Sequence, residues 1–422
     1  MNVSDSEIVS SILLKNGFIL ADSINVADII IFNTCSVRKH AEDRVIGRIS
    51  NEMSRKQINP ELKIGVIGCM AQRLGERMKS FSDGVDFVVG VDRYRELPSI
   101  IANSFQNGVF RAEITSDDIE LYSEFKPLRK DDLNAFITIM RGCNNFCSYC
   151  IVPYLRGRER SRPVDDILEE AYQAGLDGCK DVTLLGQNVN SYNCKGVVFS
   201  DLLCRLNDIE TIERIRFVTS HPKDLSNTLV DTMASCSKVC EHVHLAMQSG
   251  DDHILRAMNR GYTYSQYLSK VRYLRDIIPD IAITTDLIAG FPGESEEQFS
   301  NTLMAMQEIQ FDFAFMFKYS AREGTSAFSL CDNVPEKLKL DRLDRMITLQ
   351  NDITLQKYRA KIGKTEEVFV EKISKKSSEE LSGKTRDYKI VVFPGHTDMI
   401  GTFQKVEIVS ATGWTLKGKL IT

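Results

Sequence analysis

The chain has 422 residues, 43% of them hydrophobic and 26% charged, with a formal net charge of −5. That length exceeds one ordinary core and predicts two or three domains, and the composition is that of a globular protein. No apolar run reaches the roughly 20 residues of a membrane-spanning helix, and Met1-Asn2-Val3-Ser4-Asp5-Ser6-Glu7 lacks the basic and apolar regions of a secretory signal. The eleven cysteines, odd in number and scattered, therefore read as thiols and metal ligands in a reducing cytoplasm rather than as a disulfide framework.

The first third predicts a parallel-sheet α/β domain. Ser4 and Glu7 have the spacing of a capping box, Ile8 and Ile12 recur at helical spacing, and Gly17 is a stop signal. A strand is expected over Ala27 to Asn33, then a helix carrying Val45, Ile49 and Met53, then strands at Lys63 to Ile67 and Asp86 to Gly90. Cys35 and Cys69 fall just after the first two of these strands, the edge where open α/β sheets carry their sites. One such cysteine is most often structural, but two at matching strand ends point to a shared metal site. A cluster ordinarily takes more than two thiolates, and a further ligand would come from a strand preceding the first helix.

From Asp132 to about Tyr358 six strand–helix units follow one another, with strands at Phe136 to Met140, Asp181 to Leu185, Arg214 to Thr219, His242 to Gln248, Ile281 to Ile288 and Phe311 to Tyr319. Six units fall short of a closed (β/α)8 barrel and predict a partial (β/α)6 barrel with its site at the carboxyl ends of the strands. After the first strand stand Cys143, Cys147 and Cys150, spaced C-x3-C-x2-C. Three thiolates this close can hold one face of an iron–sulfur cluster with one iron left open, whereas a structural zinc site wants four ligands. Later strands end in Gly186-Gln187-Asn188, Ser220-His221-Pro222, Gln248-Ser249-Gly250 and Gly290-Phe291-Pro292-Gly293-Glu294. Glycines there admit a ligand close to the backbone, and amide side chains bind polar cofactor groups. Each alone is a turn; together they converge on one face. Arg156, Arg158, Arg160 and Arg162 alternate, so an extended segment would point all four one way, either to grip phosphates or to pair with carboxylates at the barrel rim. Phosphate contact is the favoured reading. The remaining cysteines, Cys236 and Cys240 included, read as buried hydrophobes.

Beyond Gly363 short strands at Glu367 to Glu371, Tyr388 to Phe393, Gln404 to Val409 and Trp414 to Leu420 predict a small β-barrel of a kind that often binds nucleic acid. Residues 361–422 hold eleven Lys and Arg against eight Asp and Glu, a modest local basic bias that favours RNA.

The segments RGCNNFCSYCIVPYLRGRERSRP, LLGQNVNSY, TDLIAGFPGE, YSAREGT and GKTRDYKIVVF are similar to the methylthiotransferases of the radical S-adenosylmethionine (SAM) superfamily, and most to the tRNA branch called MiaB. The resemblance runs along essentially the whole chain. It implies a methylthiotransferase domain over 1–123, a radical SAM barrel over 129–358 and a TRAM domain over 361–422. It implies that Cys143, Cys147 and Cys150 bind a 4Fe-4S cluster whose open iron takes SAM, and that one electron releases a 5′-deoxyadenosyl radical. The radical abstracts hydrogen from carbon 2 of an isopentenylated adenine at tRNA position 37, and a second SAM supplies the methyl group. Gly186, Gln187, Asn188, Gln248, Ser249, Gly290 and Glu294 would contact SAM, and an auxiliary 4Fe-4S cluster on Cys35 and Cys69 would take part in sulfur insertion. The implied partners are the tRNA anticodon arm, held by TRAM and by Arg156, Arg158, Arg160 and Arg162, and a low-potential donor such as flavodoxin or ferredoxin; a cytoplasmic monomer without a membrane is expected.

One departure stands out. The family's first auxiliary ligand lies in a Gly-Cys-Gln-Met-Asn segment, and this sequence opens on its Met1-Asn2. The chain as written is therefore expected to lack the third auxiliary ligand and to cleave SAM without inserting sulfur. The competing expectations are the branches acting on threonylcarbamoyl-adenosine or on a ribosomal-protein aspartate, and, from another class, an RNA-binding protein with a structural or redox-sensing cluster. The segments LGQNVNSY and GKTRDYKIVVF favour the isopentenyladenosine branch.

Overall fold

The structure is a computed structural model and describes residues 1–35, 39–81, 84–115, 120–129 and 132–421. The chain divides into two compact units: Met1–Lys130 with Met140–Phe146 and Cys150–Arg162, and Asp131–Ile139 with Cys147–Tyr149 and Pro163–Thr422.

The first unit holds α1 (Asn2–Lys15), β1 (Ile29–Thr34), α2 (Lys39–Met53), β2 (Lys63–Gly68), α3 (Cys69–Leu74), β3 (Phe87–Val89), α4 (Leu97–Asn107) and β4 (Arg111–Glu113). The four strands pair in parallel in the order β1-β2-β3-β4. Alternate residues of the strands face opposite layers, as the period of two requires. Ile67, Phe87 and Val89 pack with Ile8, Ile12, Leu97 and Ile101, while Ile64, Val66 and Val88 pack with Ile49, Met70 and Leu74. Gly17, at φ +86°, ends α1 as expected, with Gly17 N–H donating to Leu14 O at 3.1 Å and Phe18 N–H to Leu13 O at 3.2 Å. The expected capping box does not form, because α1 already starts at Asn2 and carries Ser4 and Glu7 buried within it.

The second unit holds β5 (Asn134–Thr138), α5 (Val164–Leu176), β6 (Asp181–Leu185), α6 (Phe199–Asn207), β7 (Arg214–Phe217), α7 (Asn227–Ser235), β8 (His242–His244), α8 (Asp252–Ala257), α9 (Tyr264–Ile277), β9 (Ala282–Ala289), α10 (Glu296–Ile309), β10 (Phe313–Lys318) and α11 (Glu336–Arg359). Parallel ladders join β5, β6 and β7, and likewise β8, β9 and β10. Parallel bridges Ile215–Val239 and Ser220–Leu245 link the two halves. Among the described residues no ladder joins β10 back to β5. This is a partial (β/α)6 barrel. β8 is shorter than expected because the chain leaves the ladder after His244 and touches β9 again only at Gln248–Leu287.

A closed five-stranded barrel follows: β11 (Thr365–Ile373), β12 (Glu380–Thr385), β13 (Ile390–Pro394), β14 (Phe403–Thr412) and β15 (Thr415–Leu420), in the order β11-β12-β13-β15-β14. Val368, Val370, Leu381, Val391, Phe393, Val406, Ile408 and Leu416 fill it. β12 was not predicted, since Glu-Leu-Ser-Gly-Lys-Thr has little β-propensity. Its Gly383 is required by packing: a Cβ there would lie 2.1 Å from Phe369 O. The hairpin after β12 docks at the amino ends of the (β/α)6 strands, where Arg216 donates to Thr385 O at 2.8 Å and Arg386 O at 2.7 Å. Lys389 reaches Asp312 at 3.0 Å. That end is opposite to the one carrying the cysteine loop.

Candidate active site

At the carboxyl ends of the barrel strands the backbone is held in costly conformations. Thr219 after β7 has φ 69°, Gln248 after β8 has φ 73°, and Gly290 after β9 has φ 74°. Only the last is glycine; a β-branched threonine in this region is strained by about 1–3 kcal/mol. Side chains brace these turns. Asn188 donates to Asp224 at 2.7 Å and accepts from His221 N–H at 3.0 Å, and Asn190 both accepts from and donates to the His221 backbone. Ser249, fully buried, accepts from Asp251 N–H at 3.2 Å and faces Thr302 at 3.3 Å. Glu294 is turned onto its own loop, one carboxylate oxygen accepting from Gly290 N–H at 2.7 Å and from Arg342 at 3.0 Å. Burial pushes its carboxyl up to about 7 against the pull of those two donors.

Several buried atoms at this face have no protein partner: Gln187 Oε1, Ser220 Oγ, His221 Nε2 and Glu294 Oε1. Unsatisfied buried polar atoms are rare and call for an explanation. His221 is neutral, burial above all, then Arg260 and Lys223, holding it down to about 2. Its Nδ1 accepts from Lys223 N–H at 3.2 Å, so the ring proton sits on the unpartnered Nε2. A polar ligand offering both donors and acceptors would satisfy this set.

Residues 147–149 are clamped by the segment after α8. Ser148 N–H donates to Met258 O at 3.0 Å, Ser148 Oγ to Ala257 O at 2.8 Å, and Ala327 N–H to Ser148 O at 2.7 Å. Tyr149 packs on Ile254, Met258, Phe291, Tyr319 and Ala327. The buried Arg260 guanidinium lies 3.2 Å from Cys147 Sγ. Nothing in the sequence singled out Arg260.

In the first unit Gly142 opens the cysteine loop at φ +77°, and a Cβ there would sit 2.0 Å from Arg158 O. Cys143 N–H donates to Gly157 O at 3.2 Å, and Cys143 Sγ accepts from Asn145 N–H at 3.5 Å. Cys150 is half-buried. The β1–β2 register pairs Thr34 with Gly68, so Cys35 and Cys69 follow adjacent positions of two parallel strands. Cys69 is buried, and its Sγ accepts from Arg156 Nε at 3.1 Å. Burial raises the Cys69 thiol, with Arg156 acting in the opposite sense. Arg156 also donates to Asp5 at 2.7 Å, and Arg141 donates to the other Asp5 oxygen at 2.8 Å. No motif around Asp5 marks it for this place.

The arginine run departs from expectation. Val152–Arg156 is a helix and only Arg160–Ser161 is strand, so the four side chains do not share a direction. Arg156 and Arg162 are buried, Arg162 reaching Ser123 Oγ at 3.3 Å. Arg160 pairs with Asp92 at 2.9 Å. Arg158 alone of the four is exposed, its guanidinium 4.3 Å from the Phe146 ring. Phosphate contact by Arg156, Arg160 and Arg162 is thereby corrected: internal acceptors already hold them.

Among the described residues no three Cys, His, Asp or Glu side chains converge as a ready-made metal site. The fit of a cluster rests on its donors, cysteine sulfurs of which Cys147 and Cys69 each accept from a buried guanidinium. Such contacts suit an anionic sulfur.

Comparison with known proteins decides between families. The radical SAM superfamily model matches residues 137–306, the TRAM domain model residues 359–421, and the model described as Uncharacterized protein family UPF0004 residues 1–90. A tRNA-2-methylthio-N(6)-dimethylallyladenosine synthase of Thermoanaerobacter sp. (strain X514) is 45% identical over 426 residues, covering 100% of this chain and 90% of its own. Synthases of the same name from Chloroherpeton thalassium and Porphyromonas gingivalis are each 44% identical, covering 100% of this chain and 94% and 93% of theirs. The chain belongs to the tRNA-2-methylthio-N(6)-dimethylallyladenosine synthase family. Membership in this radical SAM family brings SAM and an iron–sulfur cluster as cofactors, and TRAM with its tRNA-modifying relatives brings RNA binding. Among solved structures, the radical SAM methyltransferase TsrM of Kitasatospora setae, with cobalamin and a [4Fe-4S] cluster bound, aligns with TM-score 0.59 at 14% identity, over 77% of this chain and 73% of that one. That likeness concerns the fold. No helix among the described residues is long and apolar enough to cross a membrane.

Proposed function

We propose that this chain methylthiolates carbon 2 of N6-isopentenyladenosine at position 37 of tRNA, which replaces the expectation of SAM cleavage without sulfur insertion because synthases of the full reaction match along all of it. The observation that carries this reading is the match to synthases of that name along the entire chain. The buried, unpartnered Gln187, Ser220 and His221 atoms beside a cysteine-bearing barrel support it. In this reading Cys143, Cys147 and Cys150 hold the first 4Fe-4S cluster, and Cys35 and Cys69 contribute to an auxiliary one. When bound, the first cluster and SAM supply one-electron cleavage of SAM. The chain's own part is binding and orientation. Gly186, Gln187, Asn188, Gln248, Ser249 and Gly290 would line the SAM side, with Gln187 Oε1 and His221 Nε2 taking its polar groups. Glu294 would act at one remove, by fixing the Gly290 turn. Domain limits of 1–123, 129–358 and 361–422, a monomer in the cytoplasm and a flavodoxin or ferredoxin as donor complete the proposal.

RNA contact is assigned to the outer faces of the small β-barrel, because its hairpin is engaged with the larger barrel. Lys375, Lys376 and Lys405 are exposed and form no ion pair among the described residues. Replacing all three by alanine should weaken tRNA binding and lower the salt slope by about 0.7 per lost phosphate contact on single-stranded RNA; an unchanged slope would place the RNA elsewhere. The function itself is tested by mass spectrometry of tRNA nucleosides from a deletion strain. Loss of 2-methylthio-N6-isopentenyladenosine with its unmodified precursor accumulating is expected. Loss of the methylthiolated threonylcarbamoyl nucleoside instead would assign the sister branch.

A further inference from the structure

A buried guanidinium without a carboxylate is expensive, since removing a charge from water costs several kcal/mol unless a counter-charge and hydrogen bonds compensate. Arg260 is in that position. It is 4% exposed, and its donors reach Ala246 O at 2.6 Å, Tyr262 Oη at 3.1 Å, Cys147 Sγ at 3.2 Å and Tyr149 Oη at 3.4 Å. Among the described residues no carboxylate pairs with it. Two other buried arginines of the same unit show the usual compensation: Arg342 by Glu294, Arg216 by Asp181. The one partner of Arg260 able to carry a full negative charge when metal is bound is the sulfur of Cys147.

We propose that Arg260 is a positioning residue of the first cluster, donating to the Cys147 sulfur and fixing a positive charge beside the iron so that the cluster accepts an electron more readily. Hydrogen bonds to cluster sulfurs and nearby charge are the levers by which a protein sets such potentials. The geometry is over-determined in the way tuning requires. Ala246 O and Tyr262 fix two edges of the guanidinium, and the same segment grips Ser148 through Ala257 O and Met258 O. The Arg260 fork and the Cys147 backbone therefore move together. The inference rests on the reading that Cys147 is a cluster ligand.

The test is an anaerobic redox titration, followed by electron paramagnetic resonance, of the reconstituted full chain. Cys35→Ala and Cys69→Ala are introduced so that the signal reports the first cluster alone. If this parent protein binds no iron, the ligand assignment fails and the proposal falls with it; a failure of the role of Arg260 alone shows instead as full iron content with an unmoved midpoint. If it binds iron, Arg260→Gln should shift the midpoint to more negative potential by about a tenfold change in the redox equilibrium, or about 59 mV for one electron. Arg260→Lys keeps the charge but loses the fork, and should fall between. Equal midpoints in the parent, Arg260→Gln and Arg260→Lys proteins at full iron content would overturn the proposal and leave Arg260 a loop staple. Should Arg260→Gln not retain iron, the comparison of Arg260→Lys with the parent decides: a lower midpoint supports the role, an equal one refutes it.

Discussion

Serine in place of Cys143, Cys147 or Cys150 is expected to reduce formation of 5′-deoxyadenosine from SAM to background in the anaerobically reconstituted chain. Each replacement removes a soft thiolate from a site with no spare sulfur ligand within its loop, and oxygen is a poor substitute for a cluster iron. The bracing of residues 147–149 through Ser148 and Tyr149 does not depend on the Cys147 side chain. Circular dichroism and the thermal transition of the metal-free variants should therefore match the parent. Retained SAM cleavage in all three variants would remove the loop from the chemistry.

Asp5→Ala is expected to destabilise the first unit by about 3–5 kcal/mol, the cost of leaving a buried cation without its partner. Asp5 is fully buried and bridges Arg141 and Arg156, one carboxylate oxygen to each. Burial alone would raise its pKa; Arg156 and Arg141 override that and hold it down to about 2, from 3.8 in the unfolded chain. A depressed carboxyl contributes stability that is present above the unfolded value and lost as the pH falls through the folded one. The contribution of Asp5 should thus be complete at pH 5 and decline from about pH 4 toward pH 2. Urea unfolding of the full metal-free chain checks both claims, with Asp5→Asn as the variant that keeps shape but not charge. A midpoint within experimental error of the parent at pH 7 would show that Arg141 and Arg156 find other compensation. The same substitution frees the guanidinium that touches Cys69, so iron retention at the auxiliary site should fall with stability.

The architecture was legible because apolar strands and amphipathic helices alternate along the chain with little ambiguity. Ile64 to Ile67 is buried on both faces, Ala282 to Ala289 is buried on one face and half-buried on the other, and Ile29 to Phe32 is half-buried around a buried Ile30; such runs leave few alternatives. Short polar strands escaped. Arg111–Glu113 at the sheet edge and Glu380–Thr385 in the small barrel owe their pairing to tertiary neighbours, not to their own side chains. The cysteine loop was legible from spacing, since three thiols in eight residues serve few purposes. Its supporting residues were not. Asp5 looks like a solvent-facing acid in a helix, and its burial depends on arginines 136 and 151 residues away. Arg260 follows α8 with no periodicity to mark it, and its role becomes visible only once Cys147 lies beside it. The alternating arginines misled for the opposite reason: alternation implies one face only in an extended chain, and the helix at Val152–Arg156 turns Arg156 inward.

Radical methylthiolation of an isopentenylated tRNA by this chain can be followed in a single reaction. Incubating the reconstituted full chain with SAM, dithionite, sulfide and tRNA that carries N6-isopentenyladenosine tests it most directly. 2-Methylthio-N6-isopentenyladenosine should appear in the digested tRNA, accompanied by 5′-deoxyadenosine. 5′-Deoxyadenosine formed with no methylthiolated nucleoside, from a chain carrying its full complement of iron and sulfide, would contradict it.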